Sequence, residues 1–332
     1  MTKDKKIKTK IPSFREHLFT PNQLVDLTGL SRSTVWRKAM PVRQGATGAK
    51  TELSWEDLVE LYKVAGRKRR ESDNKILVFG NLKGGVGKSS LSSQVAMRAS
   101  SLGHKTLLID LDPQAHASMA LGFSNLDEDT PTIMDCLIGK GSEKLPISDV
   151  IQEVTPFLSI IPANLSLNFL EIKLQPDHRR AERLRSLLGP IRDEWDLIII
   201  DTNPSASTVN ISAYLAADQL LIVCATDYLS VTGLRQLFEI LKDLQGDFED
   251  FAPDIKVVPN LFDVREAMAQ TSLGTLRQSY GDYLSNTVVR KNVDLKEAQS
   301  LAQAVWLYNR KSPASEDIVS LTDELLADGA RQ

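Results

Sequence analysis

ILVFGNLKGGVGKSS, residues 76–90, decides the fold. Ile76 to Phe79 are apolar and β-prone, and Gly80 closes the run. The next residues are glycine-rich, and a helix is expected to begin near Ser89. Strand, Gly-rich loop and helix in that order make a phosphate loop. The glycines let backbone N–H groups converge on phosphate oxygens, and the helix N-terminus favours their charge. Gly84, Gly85, Val86, Gly87, Lys88, Ser89 and Ser90 are therefore the candidate nucleotide-binding residues. Lys88 is placed to reach the β- and γ-phosphates, and the Ser89 hydroxyl to ligate Mg²⁺. The bland alternative, a Gly-rich turn with an incidental lysine, does not explain the strand before it and the helix after it.

Downstream, further apolar runs alternate with helical segments: TLLID (106–110), LSII (158–161), DLIIID (196–201), QLLIVC (219–224) and IKVVP (255–259). Continuous apolar runs separated by helices indicate a buried, mostly parallel sheet. Residues 76–332 are thus expected to form an α/β P-loop NTPase domain, a central parallel sheet flanked by helices.

Upstream the chain reads differently. Residues 66–75, GRKRRESDNK, contain no aliphatic side chain and suggest a basic linker. Residues 13–65 read as a small helical domain. Thr20 with Gln23 makes a capping box and Pro21 suits the first helical position. Gly29 ends that helix, and Ser31 caps a second one, SRSTVWRKAM. Helix, short Gly-containing turn and helix is the helix-turn-helix pattern. Docked in a major groove, such a second helix presents Arg32, Ser33 and Thr34 to DNA, with Arg37 and Lys38 one turn on. The segment VRQGATGAKTELSW suggests a β-hairpin wing, and Ser54 with Asp57 caps a third helix. A helical hairpin used for protein contacts is the alternative. Residues 1–12, rich in lysine and without apolar periodicity, read as a disordered arm.

The charge distribution follows this division. Residues 1–75 hold 17 basic and 9 acidic residues, a net of +8, whereas the remainder holds 23 basic and 34 acidic, a net of −11. A basic nucleic-acid-binding part joined to an acidic globular part fits that asymmetry, as does a merely solvated basic tail. No apolar run approaches the length of a membrane span, and the basic N-terminus leads into no apolar core of a secretory signal. Cys136 and Cys224 are far apart and suggest a reducing, cytoplasmic setting without a zinc site.

The loop departs from the ordinary G-x-x-x-x-G-K-[ST] motif, because Leu82 takes the first glycine position and Lys83 follows it. This KGGVGKS form resembles the deviant Walker A loop of the ParA/MinD family of ATPases. The resemblance extends over nearly all of residues 76–326. It implies that Lys83 reaches across a nucleotide-sandwich homodimer to the partner's ATP. TLLIDLDPQAHASMALGF (106–123) is similar to the family's Walker A′ and switch I region. There Asp112, 24 residues after Lys88, corresponds to the carboxylate that positions or deprotonates the attacking water, and Asp110 lies near Mg²⁺ or its waters. DLIIIDTNPS (196–205) resembles Walker B, with Asp201 on Mg²⁺ through water; Asn203 departs from the commoner DxPP. VVPNLFD (257–263) ends where the family contacts adenine, which points to Asn260, unless that residue only forms a turn. ATDYLSVTGLRQL (225–237) resembles the segment that supports the dimer, with Asp227 as a further candidate. Residues 286–326 are similar to the family's last strand and two helices.

Within the family, the acidic C-terminus DELLADGARQ does not resemble a basic membrane helix. The resemblance is to partition ATPases that carry an N-terminal DNA-binding domain. It implies ATP/ADP and Mg²⁺ as cofactors, a nucleoid-associated dimer that binds DNA without sequence preference, and stimulation by a ParB-like centromere-binding protein. The N-terminal domain would add operator binding and autorepression. Arg290 and Lys291 are the candidate non-specific DNA contacts, against the alternative of an ordinary solvated pair. Two other functions are consistent with the same residues: an ATPase that positions a protein cargo, and a nucleotide-sensing repressor.

Overall fold

The computed structural model describes residues 13–39, 52–66, 74–124, 126–138, 144–175 and 178–327. The expected basic arm, most of the expected wing and most of the linker lie outside these residues.

The N-terminal module has three helices, α1 (Pro21–Thr28), α2 (Arg32–Ala39) and α3 (Trp55–Val64). Local chemistry sets their ends. Thr20 accepts from the Gln23 N–H while the Gln23 side chain accepts from the Thr20 N–H, a reciprocal capping box. Gly29, at φ 70°, gives α1 its left-handed C-cap. Ser31 accepts from the Thr34 N–H, and Ser54 and Asp57 form a second capping box at α3. Around the helices, the rings of Phe14 and Phe19 meet the Trp55 indole edge-on at 4.9 and 4.8 Å.

The α/β domain opens with β1 (Lys75–Gly80), α4 (Lys88–Ser101), β2 (Thr106–Asp110), α5 (His116–Ala120) and α6 (Ile133–Leu137). A hairpin of β3 (Gln152–Thr155) and β4 (Leu158–Ile161) follows, then α7 (Leu170–Leu174), α8 (Arg183–Leu188), β5 (Leu197–Asp201) and α9 (Thr208–Ala216). The last strands are β6 (Gln219–Ala225) and β7 (Asp254–Asn260), separated by α10 (Tyr228–Asp247). Helices α11 (Ala267–Tyr280), α12 (Val293–Ser300), α13 (Val305–Tyr308) and α14 (Pro313–Ala327) complete the fold. Strand order is β3-β4-β2-β5-β1-β6-β7, parallel throughout except for β3. Residues alternate between two cores along each strand: Leu77 and Phe79 face the α4 side, Ile76 and Val78 the α9–α10 side.

The strand expected at the start of 286–326 does not form. That segment runs beside β7 with only isolated bridges, Val257 with Leu284 and Phe262 with Arg290. Val289 donates to the Pro259 carbonyl and its own carbonyl accepts from the Phe262 N–H, a step past Leu261 at a left-handed φ of 56° that breaks the regular register of the ladder.

The N-terminal module and the α/β domain share one core. Phe14, Leu27, Trp55 and Tyr62 belong to the same buried cluster as Leu91, Val95 and Trp306. The Phe14 N–H donates to the Ala302 carbonyl at 2.7 Å. The Tyr62 hydroxyl donates to the Ser101 carbonyl, with the Leu27 carbonyl 3.1 Å away. Asp26 of α1 pairs with Arg310 at 2.8 Å.

Candidate nucleotide-binding site

β1, β2 and β5 are neighbours, and their register fixes the site. Phe79 lies opposite Asp201, and Asp201 lies opposite Asp110. Two carboxylates and the phosphate loop therefore meet at the carboxyl end of the sheet, where open α/β sheets place their ligands. Above them is a cavity of about 590 Å³ lined by Gly84, Gly85, Gly87, Lys88, Ser89 and Ser90 from the loop. Its remaining wall comes from Asp112, Gln114, His116, Met119, Ala120, Pro204, Gln299 and Ser300.

The loop conformation depends on glycine at one position above others. Gly87, at φ 94°, immediately precedes α4. A Cβ there would be strained by the backbone and would collide with the Asn260 amide nitrogen. Asn260 is buried and donates to the Val86 carbonyl at 2.7 Å, so it braces the loop from β7. Its amide oxygen has no partner among the described residues.

Lys88 is 6% exposed, and its ammonium donates to the Lys83 carbonyl at 3.2 Å. Burial lowers its pKa, and Asp201 and Asp112 oppose that shift. Asp201 is fully buried, and neither carboxylate oxygen has a hydrogen-bond partner among the described residues. Burial and the nearby Asp110 push its pKa well above the usual carboxylate range, against the pull of Ser89 and Lys88. A buried carboxylate beside a serine hydroxyl, with both oxygens unpaired, fits a hard divalent cation that takes its other ligands from phosphate and water.

Asp110 is bound differently. Its oxygens accept from the Asp112 N–H, the Ser118 N–H and the Ser118 hydroxyl, at 3.1, 2.8 and 2.7 Å. Burial raises its pKa to about 6 even so. Asp110 thus orients the 112–118 segment, and Asp112 lines the cavity with one oxygen accepting from the Gln114 N–H. Asn203, the departure from DxPP, closes its own turn: Ser205 Oγ and Asn210 Nδ2 both donate to its side-chain oxygen.

The second lysine of the loop faces away from the cavity. Lys83 Nζ donates to Asp227 at 2.8 Å and to Ser230 Oγ at 2.9 Å. Burial pushes the Asp227 pKa up, but Lys83 and Ser230 outweigh it and hold the carboxyl below its usual value.

The remaining sequence candidates fall into two places. Arg32, Ser33 and Arg37 are exposed on α2, and Thr34, half-buried, shares a hydrogen bond with Ser31; the Lys38 side chain lies outside the described residues. Arg290 spends its guanidinium on Asp317, Glu316 and the Pro313 carbonyl, at 2.7 to 3.0 Å. Lys291 pairs with Glu266 at 3.1 Å in an exposed contact. Motif reading missed Gln299 and Ser300 as cavity residues. They lie more than 200 residues beyond the loop and carry no motif, so only the packing of α12 against α5 and the loop reveals them.

The fold and this site define a P-loop NTPase. The AAA domain family matches residues 74–256. The cell division protein PomZ of Myxococcus xanthus is 32% identical over 82% of this chain and 84% of its own length. The chromosome partitioning protein ParA of Caulobacter vibrioides is 30% identical over 76% of this chain and 94% of its own length. The chain belongs to the ParA family of partition ATPases. Among solved structures, an ATP complex of a Cyanothece McdA variant superposes with a TM-score of 0.68 at 21% identity, covering 76% of this chain and 96% of that one. Among the described residues no helix is long and apolar enough to cross a membrane.

Proposed function

We propose that the chain is a Mg²⁺-dependent ATPase of DNA partition that dimerises on ATP, binds DNA without sequence preference and answers to a ParB-like partner. When bound, Mg²⁺–ATP supplies the phosphoanhydride that is cleaved. The backbone N–H groups of Gly84 to Ser90 and the start of α4 hold its phosphates, and Lys88 neutralises their charge. Ser89 and Asp201 hold the cation, with Asp110 fixing the wall behind them. Asp112 orients the attacking water or takes its proton. Asn260 supports the loop from the adenine side.

The observation that carries this reading is the position of Lys83. It sits in the phosphate loop yet lies outside its own cavity, bonded to Asp227 and Ser230 on a partly exposed rim. A lysine so placed serves the nucleotide of a second copy. Light scattering tests this. Wild type should dimerise with Mg²⁺–ATP and not with ADP, whereas Lys83→Ala should bind ATP and remain monomeric. Equal self-association of wild type in both nucleotides would contradict it.

Arg32, Ser33 and Arg37, exposed on α2, support operator binding and autorepression by the N-terminal module, with Thr34 and Lys38 beside them. For non-specific DNA, Lys291 is the better of the two C-terminal candidates. Its pair with Glu266 is exposed and exchanges readily for phosphate, whereas Arg290 holds α14 to the preceding segment. The similarity to PomZ, named a cell division protein, favours a second reading in which the same ATPase cycle positions a protein cargo. Binding of the full chain to DNA upstream of its own gene separates the two.

A further inference from the structure

Gln299 lines the cavity three positions before Ala302, whose carbonyl is bonded to the N-terminal module. Its side-chain oxygen accepts from the Ser90 hydroxyl at 3.0 Å, which turns the amide toward the start of α4. Gln299 and Ser300 both line the cavity beside Ser89 and Ser90. The Gln299 amide nitrogen has no protein partner among the described residues. A half-buried amide with one oxygen fixed and two N–H donors open to a phosphate-binding cavity is equipped to donate to an acceptor oxygen of the ligand.

The residues that follow are held tightly. The Ala302 N–H donates to the Gln299 carbonyl, and Ala302 adopts a left-handed φ of 49°, unusual for a residue with a Cβ. The Gln94 side chain, buried in α4, clamps the next turn: it donates to the Gln303 carbonyl at 3.1 Å and accepts from the Val305 N–H at 2.8 Å. The Ala302 carbonyl in turn accepts the Phe14 N–H at 2.7 Å. Three residues therefore separate a cavity donor from a backbone bond to the N-terminal module.

We infer that Gln299 is a nucleotide-contacting residue, donating to an acceptor oxygen of bound ATP, and that nucleotide occupancy reaches the N-terminal module through the Gln299–Ala302–Phe14 connection. This rests on the ATPase reading above and adds to it a contact from α12 and a route to residues 13–66. The exchange of one amide donor for none predicts a loss of about 2- to 10-fold in affinity.

Two variants of the full chain test the inference. Gln299→Glu keeps an acceptor for Ser90 but removes both donors and adds a negative charge, so it should bind Mg²⁺–ATP at least about 10-fold more weakly. Gln299→Ala loses the Ser90 bond as well and should bind a few-fold more weakly. Hydrogen exchange over residues 13–19 should slow in wild type when Mg²⁺–ATP is added, and should not slow in Gln299→Glu at saturating Mg²⁺–ATP. Wild-type affinity in Gln299→Glu, or exchange at Phe14 indifferent to nucleotide in wild type, would overturn the inference. Failure of wild type to bind Mg²⁺–ATP at all would instead overturn the ATPase reading.

Discussion

The two ends of α4 are built for opposite purposes. At its N-terminus buried polar groups are left open: among the described residues, Asp201 has two unpartnered oxygens and Asn260 one, and Lys88, near Asp201 and Asp112, donates to the Lys83 carbonyl. At its C-terminus the helix meets the N-terminal module through aromatic and backbone contacts. The Ser101 carbonyl is taken by Tyr62, the Arg98 guanidinium lies 5.7 Å from the Trp306 ring centre, and Gly103 lacks the Cβ that would press on the Tyr62 ring. Unsatisfied buried polar groups cost free energy, and a cluster of them lining one cavity is what a ligand can complete. Aromatic packing with paired carbonyls is what a permanent joint needs. The N-terminal module is thus held against the ATPase body over a shared core, despite the charged segment between them.

Substitutions at the two ends should separate cleanly. Lys88→Ala removes the cation from a site that holds Asp110, Asp112 and Asp201. ATP affinity, measured by calorimetry, should fall about 100-fold or more, with the fold intact. A small change there would break the assignment of the open end as a phosphate site. Tyr62→Phe leaves the Ser101 carbonyl buried and unpaired. It should lower stability by about 1–2 kcal/mol in urea titration while leaving ATP affinity unchanged.

A smaller effect tests the joint at the other end. His17 packs at 4.9 Å from Phe19, and neither ring nitrogen has a partner among the described residues. Burial lowers its pKa to about 4. The unfolded imidazole titrates near 6.5, so between those values the unfolded chain binds more protons. Its contribution to stability is full above about pH 6.5 and is lost as pH falls toward 4. His17→Phe should flatten that part of the Tm–pH curve, and an unchanged slope would place its cause elsewhere.

Much of this was legible in the sequence, for identifiable reasons. The strands at 106–110 and 158–161 coincide with their apolar runs, and the other four differ by a residue or so at their ends, because strands buried on both faces must be continuously apolar. The caps at Thr20, Gly29 and Ser54 are local chemistry and form as read. β3 escaped notice: QEVT is short and mostly polar, an edge strand whose only buried apolar side chain is Val154. The strand expected at the start of 286–326 is broken by the left-handed turn at Leu261 on its neighbour, an effect of one segment on another. At the site, the loop and both β-strand carboxylates follow from motifs. That Asp110 turns its oxygens to Ser118 while Asp201 leaves its own free depends on α5 folding back over β2, which no local pattern encodes. The commitment of Arg290 to Asp317, 27 residues away, is hidden for the same reason.

The central claim is that this cavity hydrolyses ATP with Asp112 acting on water. Steady-state turnover of Asp112→Ala at saturating Mg²⁺–ATP, with ATP binding measured on the same protein, tests it most directly. The account predicts retained binding with turnover reduced at least about 100-fold. Turnover equal to wild type would contradict it.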